Sequence, residues 1–202
     1  MAAIIDDCPN ICNNHARFPR SGSLKMFRRP LPKRNRDFPF LRVQRQRFTL
    51  HFANESGIAA PCEADFYRWL WQAVKTRYRR AELTLMLFDE AAARACNRDY
   101  RGKDYATNVL SFEVARESWF DDMDGGEILR GDLVMCPQVV LREAAEQGKT
   151  AEAHFAHLAV HGALHLMGHD HVQDDEAEAM EALEIQILAQ MGYANPYQSE
   201  AV

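Results

Sequence analysis

His161-Gly162-Ala163-Leu164-His165-Leu166-Met167-Gly168-His169-Asp170-His171 is the stretch from which the rest of the chain is best read. On an α-helix, residues four apart lie about 40° apart in projection, one turn above the other. His161 and His165 therefore offer their imidazoles to one point. Gly168 suits a helix C′ position with φ > 0. The chain can turn there and bring His171 back as a third nitrogen. Three protein nitrogens and one open position is the usual form of a catalytic zinc site, with neutral imidazoles at about 2.0–2.1 Å. His161, His165 and His171 are thus the expected ligands of one Zn2+ ion, on a helix followed by a glycine turn. Three imidazoles would also accept nickel or iron. An ordinary helix with core or surface histidines would have to account for His154, His157 and His169 as well, all within the same run. His157 shares the 161/165 face and is expected beside the ligands. His154 is expected to be exposed, and His169 to point away. Asp170 is a candidate partner for a ligating imidazole, or a cap for the turn.

The spacing H-x3-H-x5-H, with glycine three after the second histidine, is also that of the metzincin peptidases. Their first histidine is followed by the glutamate that serves as general base. Here that position is Gly162. A metallopeptidase reading keeps the metal and lacks the base.

Outside this stretch, 202 residues at 47% hydrophobic allow one domain of ordinary size with some chain to spare. The net charge of −5 is unevenly spread: residues 1–47 hold 11 Lys and Arg against 3 Asp and Glu, about +8, and the remainder 13 against 26, about −13. Residues 1–45 contain Pro9, Pro19, Pro30, Pro32 and Pro39, many arginines and no apolar period. They read as a basic, disordered N-terminal extension, and residues 46–202 as the metal-dependent hydrolase domain. The extension is either an RNA-binding arm or a solvated leader, with Met26 an alternative start that would leave residues 1–25 outside the native protein. No signal peptide and no apolar run of about 18 residues is visible. With five cysteines, an odd number, the expectation is a cytoplasmic protein with reduced thiols and no membrane partner. Cys8, Cys12 and His15 form C-x3-C-x2-H, which lacks an evident fourth ligand.

The elements follow from periodicity. Strands are expected at 47–52, 83–88 (apolar almost throughout, hence central), 109–113 and 131–135. Helices are expected at 63–79 (stripe Phe66, Trp69, Leu70, Ala73, Val74), at 90–98 with Asp89 as N-cap, and at 138–146. Two more follow, at 151–167 with Thr150 as cap and at 174–191. The last should carry Ala179, Leu183, Ile187 and Met191 on one face and cover the histidine helix. Residues 97–108 read as a polar loop and 116–130 as an acidic surface loop. The order β-α-β-α-β-β-α-α-α implies an α+β fold: a small mixed four-stranded sheet with helices grouped beside it.

The histidine motif resembles the signature of the YbeY family of bacterial endoribonucleases. Asn97–Phe112 (NRDYRGKDYATNVLSF), the pair Gly131-Asp132, the run Asp174–Glu181 and the ending Gly192-Tyr193 resemble further blocks of it, so the likeness covers residues 46–198. The resemblance implies a metal-dependent, single-strand-specific RNase acting in ribosomal RNA maturation, at the 3′ end of small-subunit RNA, and in ribosome quality control. Its partners would be single-stranded or ribosomal RNA and the small ribosomal subunit, with no DNA expected. It carries the zinc ligands onto His161, His165 and His171, and an important arginine onto Arg101. A guanidinium has paired donors for phosphate oxygens, and Lys103 lies two residues on. Lys103, Asp132 and Asp170 are the remaining candidates for contact with ligands or substrate. The proton acceptor stays open among the solvent ligand of the metal, a phosphate oxygen, Asp132 and Asp170. Arg77, Arg79, Arg80, Arg98, Arg101 and Lys103 are candidates for a local basic cleft on the acidic body. The rival readings are a metallopeptidase-like hydrolase and a non-catalytic ribosome assembly factor with a structural metal.

Overall fold

A computed structural model describes residues 47–113, 128–169 and 174–198. The basic extension, the Cys8/Cys12/His15 group, most of the acidic loop, Asp170 and His171 lie outside the described residues. The elements are β1 (Phe48–Asn54), α1 (Glu63–Val74), β2 (Arg80–Leu87), α2 (Glu90–Arg101), β3 (Val109–Glu113), β4 (Ile128–Met135), α3 (Pro137–Glu146), α4 (Ala151–Leu166) and α5 (Asp174–Gln190). The sheet order is β1-β2-β4-β3. β1, β2 and β4 run parallel, and β3 pairs antiparallel with β4 at the edge. This is the expected mixed four-stranded sheet, with β2 internal.

Boundaries differ for local reasons. α1 stops at Val74 because the N–H groups of Arg77 and Tyr78 turn back to the Val74 carbonyl, which puts the Tyr78 ring into the core. β2 starts early and β4 starts at Ile128, since Arg80-Ala81-Glu82 pair with Ile128-Leu129-Arg130. α2 runs on to Arg101, through half of the expected polar loop. Nothing in 97–101 breaks a helix, and Gly102 ends it at φ 68, its N–H reaching the carbonyls of Arg98 and Asn97. The Asp89 and Thr150 caps hold as read: each side chain accepts from the N–H three residues on.

α1 buries the expected stripe, Phe66, Trp69, Leu70, Ala73 and Val74. α4 is the central helix. From His154 to Leu166 every residue is buried except His157, His161 and His165. A helix apolar on nearly all sides must be packed on nearly all sides, so the one partly open line on α4 is the histidine line. The helix ends in a Schellman turn: Gly168, at φ 82, donates its N–H to the His165 carbonyl (2.9 Å), and His169 donates to Leu164 (3.1 Å). Arg77 Nη1 donates to the Met167 carbonyl at 3.2 Å and pins the same turn from the α1–β2 connection.

Gly162 lets α4 approach the sheet. A Cβ there would lie 2.8 Å from Leu133 Cδ2 and 3.3 Å from Ser111 Oγ, and Ser111 Oγ donates to the Gly162 carbonyl at 3.2 Å. Gly162→Ala gains about 1 kcal/mol in helix propensity and loses about 1–3 kcal/mol to overpacking against buried Leu133. The expected net change is a loss of no more than about 2 kcal/mol. Gly162→Glu must also bury a charge without a partner and should not yield a folded chain. Urea midpoints of the two variants check this; a stable Gly162→Glu protein would contradict the packing.

Candidate metal centre and cleft

The site is built on Glu184, from α5. Its carboxylate is fully buried. Oε1 lies 2.8 Å from His161 Nδ1, Oε2 lies 2.9 Å from His157 Nε2, and the Tyr197 hydroxyl also donates to Oε2. Burial alone would push this carboxyl up. The three hydrogen bonds, from His157, His161 and Tyr197, outweigh it and hold the carboxyl at about 2. A carboxylate only accepts, so the proton of His161 sits on Nδ1 and the Nε2 lone pair faces outward. The Tyr197 hydroxyl is pushed up by its burial and by the carboxylate it donates to.

His161 Nε2 lies 3.1 Å from His165 Nε2. Two ligands of one tetrahedral zinc at about 2.0–2.1 Å stand roughly 3.4 Å apart. The pair is therefore close to metal-ready spacing, with one ring already oriented from behind by a carboxylate, as ligating histidines usually are. The donor set fits a zinc-type ion as far as the described residues reach. Two of the three expected ligands come together, and His171, the third, lies outside them. Among the described residues no group of three or more His, Cys, Asp or Glu side chains forms a metal cluster.

Both rings open on a cleft of about 570 Å³ that follows the edge strand β3. Successive residues of β3 face opposite ways: Ser111 meets α4, while Phe112 packs on Tyr100 of α2. Arg101 and His169 also line this cleft. Arg101 is exposed, in the last turn of α2. A cation there complements the helix dipole in any protein, so its place in the cleft is the informative fact. The segment behind it is tied down. Buried Asn97 donates to the Tyr105 carbonyl at 2.8 Å, and Arg94 grips Asp104 with contacts of 2.7 and 2.6 Å.

Other candidates fall elsewhere. Lys103 is exposed in the turn after α2 and does not line the cleft. Asp132 is exposed on β4 between Gly131 and Leu133, which both meet α4, so its side chain is on the face of the sheet that Phe112 shares, and it does not itself line the cleft. Of the six cations offered for a basic cleft, only Arg101 lines it; Arg77 clamps Met167, and Arg98 pairs with Asp99 at 3.0 Å. His154 is 3% exposed rather than outward. Its Nε2 lies 2.9 Å from Glu143 Oε2, and Asn108, in the cleft wall, donates to both Glu143 oxygens. His157 shares the Glu184 carboxylate with His161.

The family model for Endoribonuclease YbeY matches residues 53–192. The chain belongs to the YbeY family. An Endoribonuclease YbeY from Neisseria meningitidis serogroup B is 60% identical over 169 residues, covering 83% of this chain and 99% of that one. Another, from Stutzerimonas stutzeri, is 53% identical over 143 residues, covering 71% and 87%. Among solved structures, the solution structure of TM1509 from Thermotoga maritima aligns at a TM-score of 0.48 with 21% identity, covering 74% of this chain and 99% of that one. Among the described residues no helix is long and apolar enough to cross a membrane.

Sequence reading missed Glu184, Tyr197 and the Glu143–His154 pair. The Glu143 pair gives a pH test. Burial would raise the Glu143 carboxyl, but hydrogen bonds from His154 and Asn108 prevail and its pKa is lowered. A depressed carboxyl stabilises the fold above the ordinary carboxylate range and loses that contribution as pH falls through its folded value. Glu143→Gln should cost about 1–3 kcal/mol near neutrality, and the gap to wild type should close in acid. Urea titrations at pH 7 and at about pH 3, well below the ordinary carboxyl value, check it; a gap independent of pH would contradict it.

Proposed function

We propose that the chain is a single-strand-specific metallo-endoribonuclease acting in ribosomal RNA maturation, at the 3′ end of small-subunit RNA, and in ribosome quality control. The observation that carries the reading is the 3.1 Å approach of His161 Nε2 and His165 Nε2 in the cleft that Arg101 also lines. Relatives at 60% identity bear the name endoribonuclease, and the single-strand and ribosomal assignments extend that family activity to this chain.

His161, His165 and His171 would hold one Zn2+ ion. Bound there, it supplies a Lewis acid for a phosphoryl oxygen and lowers the pKa of a bound water. The chain's own groups do the rest. Glu184 fixes the His161 tautomer and orientation, and stays ionised throughout the working pH range because its carboxyl titrates at about 2. Arg101 offers a fork of N–H donors to the phosphate and to charge that develops on it. Gly162 and the side chains facing it leave no volume for a peptidase-type glutamate, which disfavours the metallopeptidase reading. Asp132 does not line the cleft, which weakens it as the proton acceptor.

His165→Ala and Arg101→Ala should each lower cleavage of a single-stranded oligoribonucleotide by about 10²-fold or more, with duplex RNA resistant throughout. Metal analysis of untagged protein should find about one zinc per chain, lost in His165→Ala. Glu184→Gln should weaken zinc by about 10–100-fold. Both cleavage variants acting like wild type at matched purity would overturn the reading. RNA binding and complementation that survive loss of all three histidines would favour an assembly factor instead.

A further inference from the structure

Tyr100 is 72% exposed, more than any other large apolar side chain among the described residues. Tyr197 has its hydroxyl committed to Glu184, and Tyr105 lies off the cleft beside Arg94 and Asp104. Tyr100 lines the cleft, one residue before Arg101, and its ring centroid is 4.5 Å from that of Phe112 with the planes at 55°. Phe112, on the edge strand, lines the same cleft and is itself only partly buried. The fold holds the two rings together and leaves most of the Tyr100 ring in water.

We propose that Tyr100, backed by Phe112, is a stacking platform that seats one nucleobase of single-stranded RNA next to the phosphate contacted by Arg101. The inference rests on the RNA-cleaving reading and deepens it. Three features select this occupant. Every base has a π-face, so a lone exposed ring receives bases without regard to sequence. A base in a duplex is already stacked on both sides, so the platform rewards single strands. The neighbouring guanidinium complements a phosphate, which an apolar peptide segment does not carry. Tyr100 here contributes binding: it holds a base equally in the ground state and the transition state, beside the phosphate that Arg101 contacts.

The test is steady-state cleavage of a single-stranded oligoribonucleotide by the full metal-loaded chain, with abasic nucleotides placed one at a time along the substrate. Tyr100→Ala should raise KM about tenfold with kcat within about twofold. Tyr100→Phe and Tyr100→Trp should behave like wild type. One abasic position should cost wild type the same factor and cost Tyr100→Ala nothing further. Unchanged melting temperatures show that the variants fold. If wild type cleaves and Tyr100→Ala has an unchanged KM, or no abasic position that costs wild type is silent in the variant, the inference fails alone. If Tyr100→Ala cleaves normally but no longer binds small-subunit particles, the rings belong to a protein contact and the inference fails. If wild type neither binds nor cleaves RNA, the underlying reading fails and takes the platform with it.

Discussion

The buried carboxylate of Glu184 is the interaction on which the site depends. It sits on α5, faces the histidine line of α4, and meets His157, His161 and Tyr197 together. An ionised group without water is tolerable only when its lone pairs are met by donors. Each of those donors therefore constrains the geometry. The carboxylate ties α5 and the segment after it to α4, and it also dictates which nitrogen of His161 is protonated. One group thus links the packing of the last helix to the electronic state of the cleft.

Gly162 acts from the other side of α4. Where Glu184 requires α5 to lie close, Gly162 allows β3 and β4 to lie close, with Leu133 and Ser111 in the volume a side chain would fill. From sequence, this glycine looked like a metal motif from which a base had been removed. In three dimensions it is the contact that seats the motif against the sheet. The loss of the peptidase base and the tight helix–sheet approach are the same fact.

Much of this was legible in the chain, because the relevant signals were local. The order of all nine described elements, both side-chain caps and the Gly168 turn each rest on residues within one or two turns of each other. What could not be read was pairing at long range. Glu184 is 23 positions from His161, in a helix already rich in Asp and Glu, so periodicity gives it no mark. The expected apolar face, Ala179, Leu183, Ile187 and Met191, is rotated from the buried one, which contains Met180, Glu184, Ile187 and Leu188. The clue available was an acidic residue at four and three positions from Met180 and Ile187, inside the real stripe. His154 misled in the same way: a polar residue two places after Glu152 reads as surface until Glu143, on another helix, supplies its partner. Asp132 had a strand position but no face until Gly131 and Leu133 were seen to meet α4.

Charge also limits how a substrate can be held. The chain from residue 48 onward carries about −13, and among the described residues a single arginine lines the cleft. Affinity that grows by neutralising many phosphates needs many cations, and the described residues that line this cleft do not supply them. On the proposed reading the binding it offers is short-range: a guanidinium on one phosphate, a metal ion held at the paired imidazoles, and an aromatic face for one base. Such contacts reward a strand whose bases are free and whose backbone can bend around the edge of β3. A rigid duplex presents neither. On that reading, selectivity for single strands would rest on the scarcity of charge as much as on the shape of the cleft. Further phosphate contact would, on the proposed reading, fall to cations beyond that lining, and the basic extension, at about +8, has the composition to supply it.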